Sequence, residues 1–84
     1  MNQNQHQYET SSLALAAAIQ LASTSKLQAV EKSRDSSKAS FVFNRTSDLD
    51  KVIELFWQKA LPLDAFSYFE TIRYIKSRLY EEGK

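Results

Sequence analysis

The chain has 84 residues, of which 43% are hydrophobic and 25% charged, and it carries a formal net charge of +1 at neutral pH. That length holds one small domain and excludes a second core or a catalytic domain with its own lid. A domain this small hides only ~60% of the surface its unfolded chain exposes, so support from a partner subunit is expected.

Residues 1–7 form an Asn/Gln tract with a single apolar residue, too polar to bury surface of its own, and read as a disordered tail ahead of one α+β domain over residues 8–84. Thr10, Ser11 and Ser12 are three successive candidates for a helix N-cap, each with a side-chain oxygen for orphan amides. The helix they introduce, residues 13–22, is apolar on every side except at Gln20. It must be covered all round. Its alanines let neighbours approach closely, so it is either the central helix of the fold or one side of a dimer seam. Residues 26–32 alternate roughly and predict a strand, residues 33–37 a polar turn, and residues 38–44 a second strand. In that second strand Ala39, Phe41 and Phe43 point toward the core, while Ser40, Val42 and Asn44 point away.

A second helix begins near Asp48, with Ser47 and Asp50 in capping-box spacing. Leu49, Val52, Ile53, Phe56, Trp57 and Ala60 lay one apolar stripe along it, and Pro62 predicts its end near Ala60. Asp64 suits the N-cap of a third helix, with Leu63 and Tyr68 placed as a hydrophobic staple and Gly83 as a terminating residue. Ala65, Tyr68, Phe69, Ile72, Ile75 and Leu79 share one face of that helix. The expected fold class is α+β in the order α-β-β-α-α, with three helices packed on a two-stranded antiparallel hairpin.

Chemistry-bearing residues are few. With no cysteine and only His6 in the polar tail, there is no disulfide, no thiolate or zinc site and no candidate nucleophile–base pair. One glycine excludes the phosphate-cradling loop motifs. Asp48/Asp50 and Glu81/Glu82 are one or two residues apart, so they do not face each other on a helix. No catalytic residue, metal or cofactor is expected. The longest apolar run, residues 13–19, is far short of the roughly 20 residues that span a bilayer. The segment before it carries Glu9 and no Lys or Arg, unlike a secretory signal, so a cytoplasmic protein is expected.

Two kinds of contact surface stand out. Residues 26–45 carry Lys26, Lys32, Arg34, Lys38 and Arg45 against Glu31 and Asp35, and the third helix adds Arg73, Lys76 and Arg78 interleaved with Tyr74 and Tyr80. If they converge, Lys32, Arg34, Lys38, Arg73, Lys76 and Arg78 form a phosphate-binding face. Edge-strand lysines and a solvated helix end account for them without a ligand. Lys76 falls inside the apolar stripe, either as a cation over an aromatic wall or as a stem lying along apolar surface with its ammonium in water. Leu55 and Tyr74 lie opposite the stripes of their helices and are candidates for a partner interface. A pI of 8.0 is below the range above 9 that marks many nucleic-acid binders.

Residues 8–17 (YETSSLALAA), 41–43 (FVF) and 75–80 (IKSRLY) together resemble a family of short uncharacterised proteins from small-genome bacteria and phages. The resemblance implies a compact stand-alone domain and no particular activity. The succession of strand 39–44, helix 48–60 and helix 64–82 is similar to the ribbon-helix-helix repressors, obligate dimers whose paired strands enter the major groove. It implies that Ser40, Val42 and Asn44 face bases and that amides at the start of the third helix hold a phosphate. The preceding helix and strand, Pro62 in the inter-helix turn and Val42 as a base reader depart from that pattern. The leading expectation is a non-catalytic interaction module, homodimeric or part of a larger assembly, with the Ala-rich helix and aromatic stripes as its seam. The alternative is a nucleic-acid-binding protein.

Overall fold

The fold is described by a computed structural model that covers residues 6–32 and 38–82. Residues 1–5 of the expected tail over residues 1–7, the turn over residues 33–37 and Gly83 lie outside these described residues, while Gln7, assigned to that tail, opens a strand. The elements run β1 (Gln7–Thr10), α1 (Leu13–Ala22), β2 (Leu27–Lys32), β3 (Ala39–Asn44), α2 (Leu49–Trp57) and α3 (Ala65–Glu82). The class is α+β, with three helices and a three-stranded antiparallel sheet in the order β1-β3-β2. The two-stranded hairpin expected from sequence is therefore corrected: β1 adds a third strand, and β3 becomes the middle one.

β1 is only four residues long, Gln-Tyr-Glu-Thr, and stands beside a polar tract, which is why its period-2 signal is weak. It pairs Tyr8 with Phe43 and Thr10 with Phe41, so its half-buried residues share the core face of β3. Arg45 secures the strand from the far end. Its amide donates to the His6 carbonyl (2.9 Å), its guanidinium lies 5.6 Å from the Tyr8 ring centroid, and it pairs with Asp50 of α2 at 3.0 Å.

Among the three cap candidates, Ser12 is the N-cap of α1, its Oγ accepting from the Leu15 amide at 3.1 Å. Leu15 through Ile19 are buried, five consecutive residues, so α1 is the central helix and not an outer seam. It contacts β1, α2 and α3, and α3 also reaches β2. Its C-terminus ends at Ser23, whose hydroxyl donates to the Ile19 carbonyl at 2.8 Å, while the Lys26 ammonium donates to the Gln20 and Ser23 carbonyls. Gln20, the one polar residue of α1, accepts the Leu27 amide at 2.8 Å and so joins the helix to the first residue of β2.

The rough alternation of β2 has a physical cause. A register shift between Leu27 and Ala29 leaves Gln28 as an extra residue, so Leu27 opposite Phe43 and Val30 opposite Phe41 reach the same face although three positions apart. Phe41 and Phe43 enter the core as expected. Val42 lies on the other face, opposite Glu9 and Ala29, yet is 2% exposed instead of facing solvent.

α2 starts at Asp48, and the Ser47/Asp50 capping box does not form. The Asp48 carboxylate instead accepts from the Thr46 hydroxyl (2.6 Å) and from the Thr24 amide and hydroxyl (2.9 and 3.0 Å), tying the start of α2 to the loop after α1. Those bonds, with Thr46 the largest contributor and Thr24 next, hold the carboxyl below its ordinary pKa. Leu49 and Val52 are buried and Ile53 and Phe56 pack beside them. The helix closes three residues before the position Pro62 predicted. The Lys59 amide donates to the Phe56 carbonyl and the Ala60 amide to the Leu55 carbonyl, a Schellman motif with Lys59 in the left-handed region at φ 60°.

Asp64 caps α3 as the sequence predicts, its Oδ2 accepting from the Ser67 amide at 2.8 Å. Ile75 is fully buried, with Tyr68, Ile72 and Leu79 packed against the core, and the Tyr68 hydroxyl donates to the Ala14 carbonyl at 2.9 Å. The expected stripe is narrower than the sequence implied: Ala65 and Phe69 lie outside it, exposed. No helix among the described residues is long and apolar enough to cross a membrane.

Lys59 occupies a position where glycine has no Cβ penalty. Lys59→Gly is expected to stabilise the fold by about 1 kcal/mol, read as a raised urea midpoint with an unchanged slope.

Candidate functional site

Five aromatic residues fall within the 18 residues of α3, and one face of a helix cannot bury them all. Tyr68 goes inward, whereas Phe66 is 72%, Phe69 58%, Tyr80 67% and Tyr74 43% exposed. Taking about 100° per residue, Phe69, Arg73, Lys76 and Tyr80 lie along one outer flank of the helix with Phe66 at its edge. At the end of α2, Trp57 is 63% exposed, so the sequence-predicted place of Trp57 and Phe69 in the two buried stripes is corrected for both. Each stripe covers α1 with fewer residues than its period provides.

The Trp57 indole meets the Phe56 ring edge-on, centroids 5.0 Å apart. Together with Lys59, Leu61, Leu63 and Tyr68 these two residues line an open groove of ≈ 380 Å³ between the end of α2, the connecting segment and the start of α3. Leu63 and Tyr68, expected to form a staple, are both on its wall. Lys59 is the sole charged residue in that lining. Burial pushes the Tyr68 phenol above its ordinary pKa.

Five of the six basic candidates lie within the described residues, two on the β2–β3 strands or beside them and three on α3. Lys32 ends β2, opposite Ala39, and Lys38 stands just before β3, where it lines a shallow hollow with Ser11, Leu13, Ala39, Phe41 and Leu79. Arg34 lies outside the described residues. Arg73 and Arg78, five positions apart, project about 140° apart around α3. Arg73 lies 6.0 Å from the Phe69 ring centroid and 3.9 Å from Glu70, while Arg78 donates to the Tyr74 hydroxyl at 3.0 Å on the other side. Lys76 is exposed between Phe69 and Tyr80 and is not within a buried stripe. Leu55 is half-buried, and Tyr74 is exposed with its hydroxyl accepting from Arg78. The residues sequence reasoning missed are Phe66 and Lys59. The excess of aromatics in α3 was the available signal for the first, and a helix end without glycine gave none for the second.

The ribbon-helix-helix arrangement is overturned on three counts. β3 has β1 on one edge and β2 on the other, leaving no edge for a second copy, and Val42 is buried. The Ser67 amide at the start of α3 is already taken by Asp64. Among the described residues, no group of three or more His, Asp or Glu side chains is placed to hold a metal ion.

What the architecture defines is a small α+β domain of β-α-β-β-α-α order. The chain belongs to the family described as domain of unknown function (DUF5659), whose model matches residues 5–81, in line with the resemblance to a family of short uncharacterised proteins. No curated protein and no solved structure matches it.

The Ser67 backbone amide, the largest cause, holds the Asp64 carboxyl below its ordinary pKa. A depressed folded-state pKa adds stability that is present above the unfolded value and lost as pH falls through the folded one. Asp64→Ala is therefore expected to lower the melting temperature at pH 7, with the gap to the parent shrinking below about pH 4. An unchanged gap at pH 2 would show that the cap acts without its charge.

Proposed function

We propose that this domain is a non-catalytic protein-interaction module, working as a subunit of an assembly with a second copy or another chain. The observation that carries the reading is the row of large aromatic side chains left in solvent, Trp57, Phe66, Phe69 and Tyr80, on a chain whose own core is already closed over α1. Aromatic residues with interspersed Arg are the usual anchors of protein interfaces, and such groups contribute binding energy only when another surface covers them. The seam lies on the outer flank of α3 and the end of α2. α1, which the sequence alone also allowed as a seam, is unavailable.

Because Phe66 and Phe69 are exposed, the double change Phe66→Ser/Phe69→Ser is expected to alter stability by less than about 0.5 kcal/mol per site while weakening association at least tenfold. Solution mass measured across protein concentration, alone and with the partner that co-purifies from the native host, checks both. A strictly monomeric chain whose partner capture is untouched by the double change removes the proposal.

A second reading, single-stranded nucleic-acid binding, draws support from Arg73 and Lys76 between Phe69 and Tyr80, since bases stack on aromatic rings beside backbone-binding cations. A pI of 8.0 weighs against it. In that reading log affinity for oligothymidylate falls with log salt at about −0.7 per phosphate contacted, and a flat response eliminates it.

A further inference from the structure

The groove at the end of α2 combines two features that need not coincide. Its wall is apolar, formed by Phe56, Trp57, Leu61, Leu63 and Tyr68, and the Tyr68 hydroxyl is already donated to the Ala14 carbonyl. Such a surface favours large apolar side chains. Its rim carries a single charge, Lys59, at a left-handed backbone position, φ 60°, that favours glycine over any side chain. A residue held in a sparsely populated backbone region beside a groove is a pointer to use of that residue.

From this pairing we infer that the groove takes an acidic amphipathic helical segment of a different protein, seating its bulky apolar side chains against Trp57, Leu61 and Leu63 and its carboxylates against Lys59. The inference rests on the domain being an interaction module, and adds where the anchor enters and what chemistry it has. Charge complementarity selects the occupant. No acidic side chain lines the groove and Lys59 is the one charge in its lining, so a helix carrying carboxylates beside its apolar stripe matches it. An open groove of ≈ 380 Å³ has room for more than one aliphatic side chain, as the i, i+3, i+4 anchors of a bound helix require.

Trp57 is the only tryptophan in the chain and lines the groove, so its fluorescence reports occupancy directly. The probe is a synthetic peptide of about 14 residues with leucines at helical i, i+3, i+4, i+7 spacing and glutamates elsewhere, titrated into the full chain. A saturable blue shift of Trp57 is expected. The same peptide with lysines for glutamates should bind more weakly. Lys59→Gly should bind the acidic peptide about two- to fivefold more weakly, the worth of one rim ion pair, although it melts higher than the parent. Lys59→Glu should narrow or reverse the preference between the two peptides.

Absence of a shift, or equal binding of both peptides, overturns the inference. So does unchanged binding by Lys59→Gly, which would leave Lys59 only as a cation complementing the C-terminal dipole of α2. A shift produced by oligothymidylate and not by the peptide, or by raising protein concentration alone, gives the groove to nucleic acid or to a second copy and equally overturns it. If the mass measurements show association that depends on Phe66 and Phe69 while the peptide fails, this inference falls and the module reading stands.

Discussion

Every other part of this fold is arranged around the need to keep Leu15, Ala16, Ala17, Ala18 and Ile19 of α1 away from water. The helix has no polar face to turn outward, so its middle requires cover from several sides, and a chain of 84 residues has little material from which to make it. The aromatic face of the sheet supplies one cover, through Phe41 and Phe43, and α2 and α3 supply the rest, through Leu49 and Ile75. Ala16, Ala17 and Ala18 make the arrangement feasible, because small side chains let the neighbouring elements approach closely without gaps. A larger residue at any of these fully buried positions has no void to enter.

Burying a helix also buries its ends, and an end sequestered without hydrogen-bond partners is costly. Polar residues next to α1 meet that requirement. Ser12 caps the start, and Ser23 and Lys26 satisfy carbonyls at the finish. Ser25, itself buried, donates to the Asn44 carbonyl and so joins the loop after α1 to the end of β3. Thr24 then reaches Asp48 at the start of α2. The short segment of residues 23–26 thus connects the central helix to the sheet and to the second helix at once, and no buried side-chain nitrogen or oxygen among the described residues lacks a partner.

The surface follows from the same economy of material. Once α1 is covered, the remaining apolar residues of α2 and α3 have nothing left to cover, and Trp57, Phe66, Phe69 and Tyr80 stay outside. The groove exists because α2 stops at Trp57 and the chain needs residues 58–64 to turn into α3, leaving Leu61 and Leu63 as its floor and walls. Lys59, in its left-handed conformation, is the residue that makes this turn.

Much of the architecture was legible in the amino-acid sequence because local rules act there undisturbed. The bounds of α1 follow from a helix-favouring segment, apolar but for Gln20, between Ser12 and Ser23, the cap at Asp64 from a carboxylate ahead of a periodic segment, and the inward phenylalanines of β3 from strict alternation. Tertiary structure decided the rest. β1 is too short and too polar to announce itself, and it is a strand only because β3 offers it an edge. The bulge at Gln28, the recruitment of Asp48 by Thr24 and the Schellman turn at Lys59 each depend on partners that sequence distance hides or that a rule about glycine excludes. Periodicity likewise identified which residues of α2 and α3 could be buried, but how many of them were needed depended on how much of α1 remained uncovered. That quantity is a property of the assembled layers and of no single helix, and it is what left the aromatic flank in solvent.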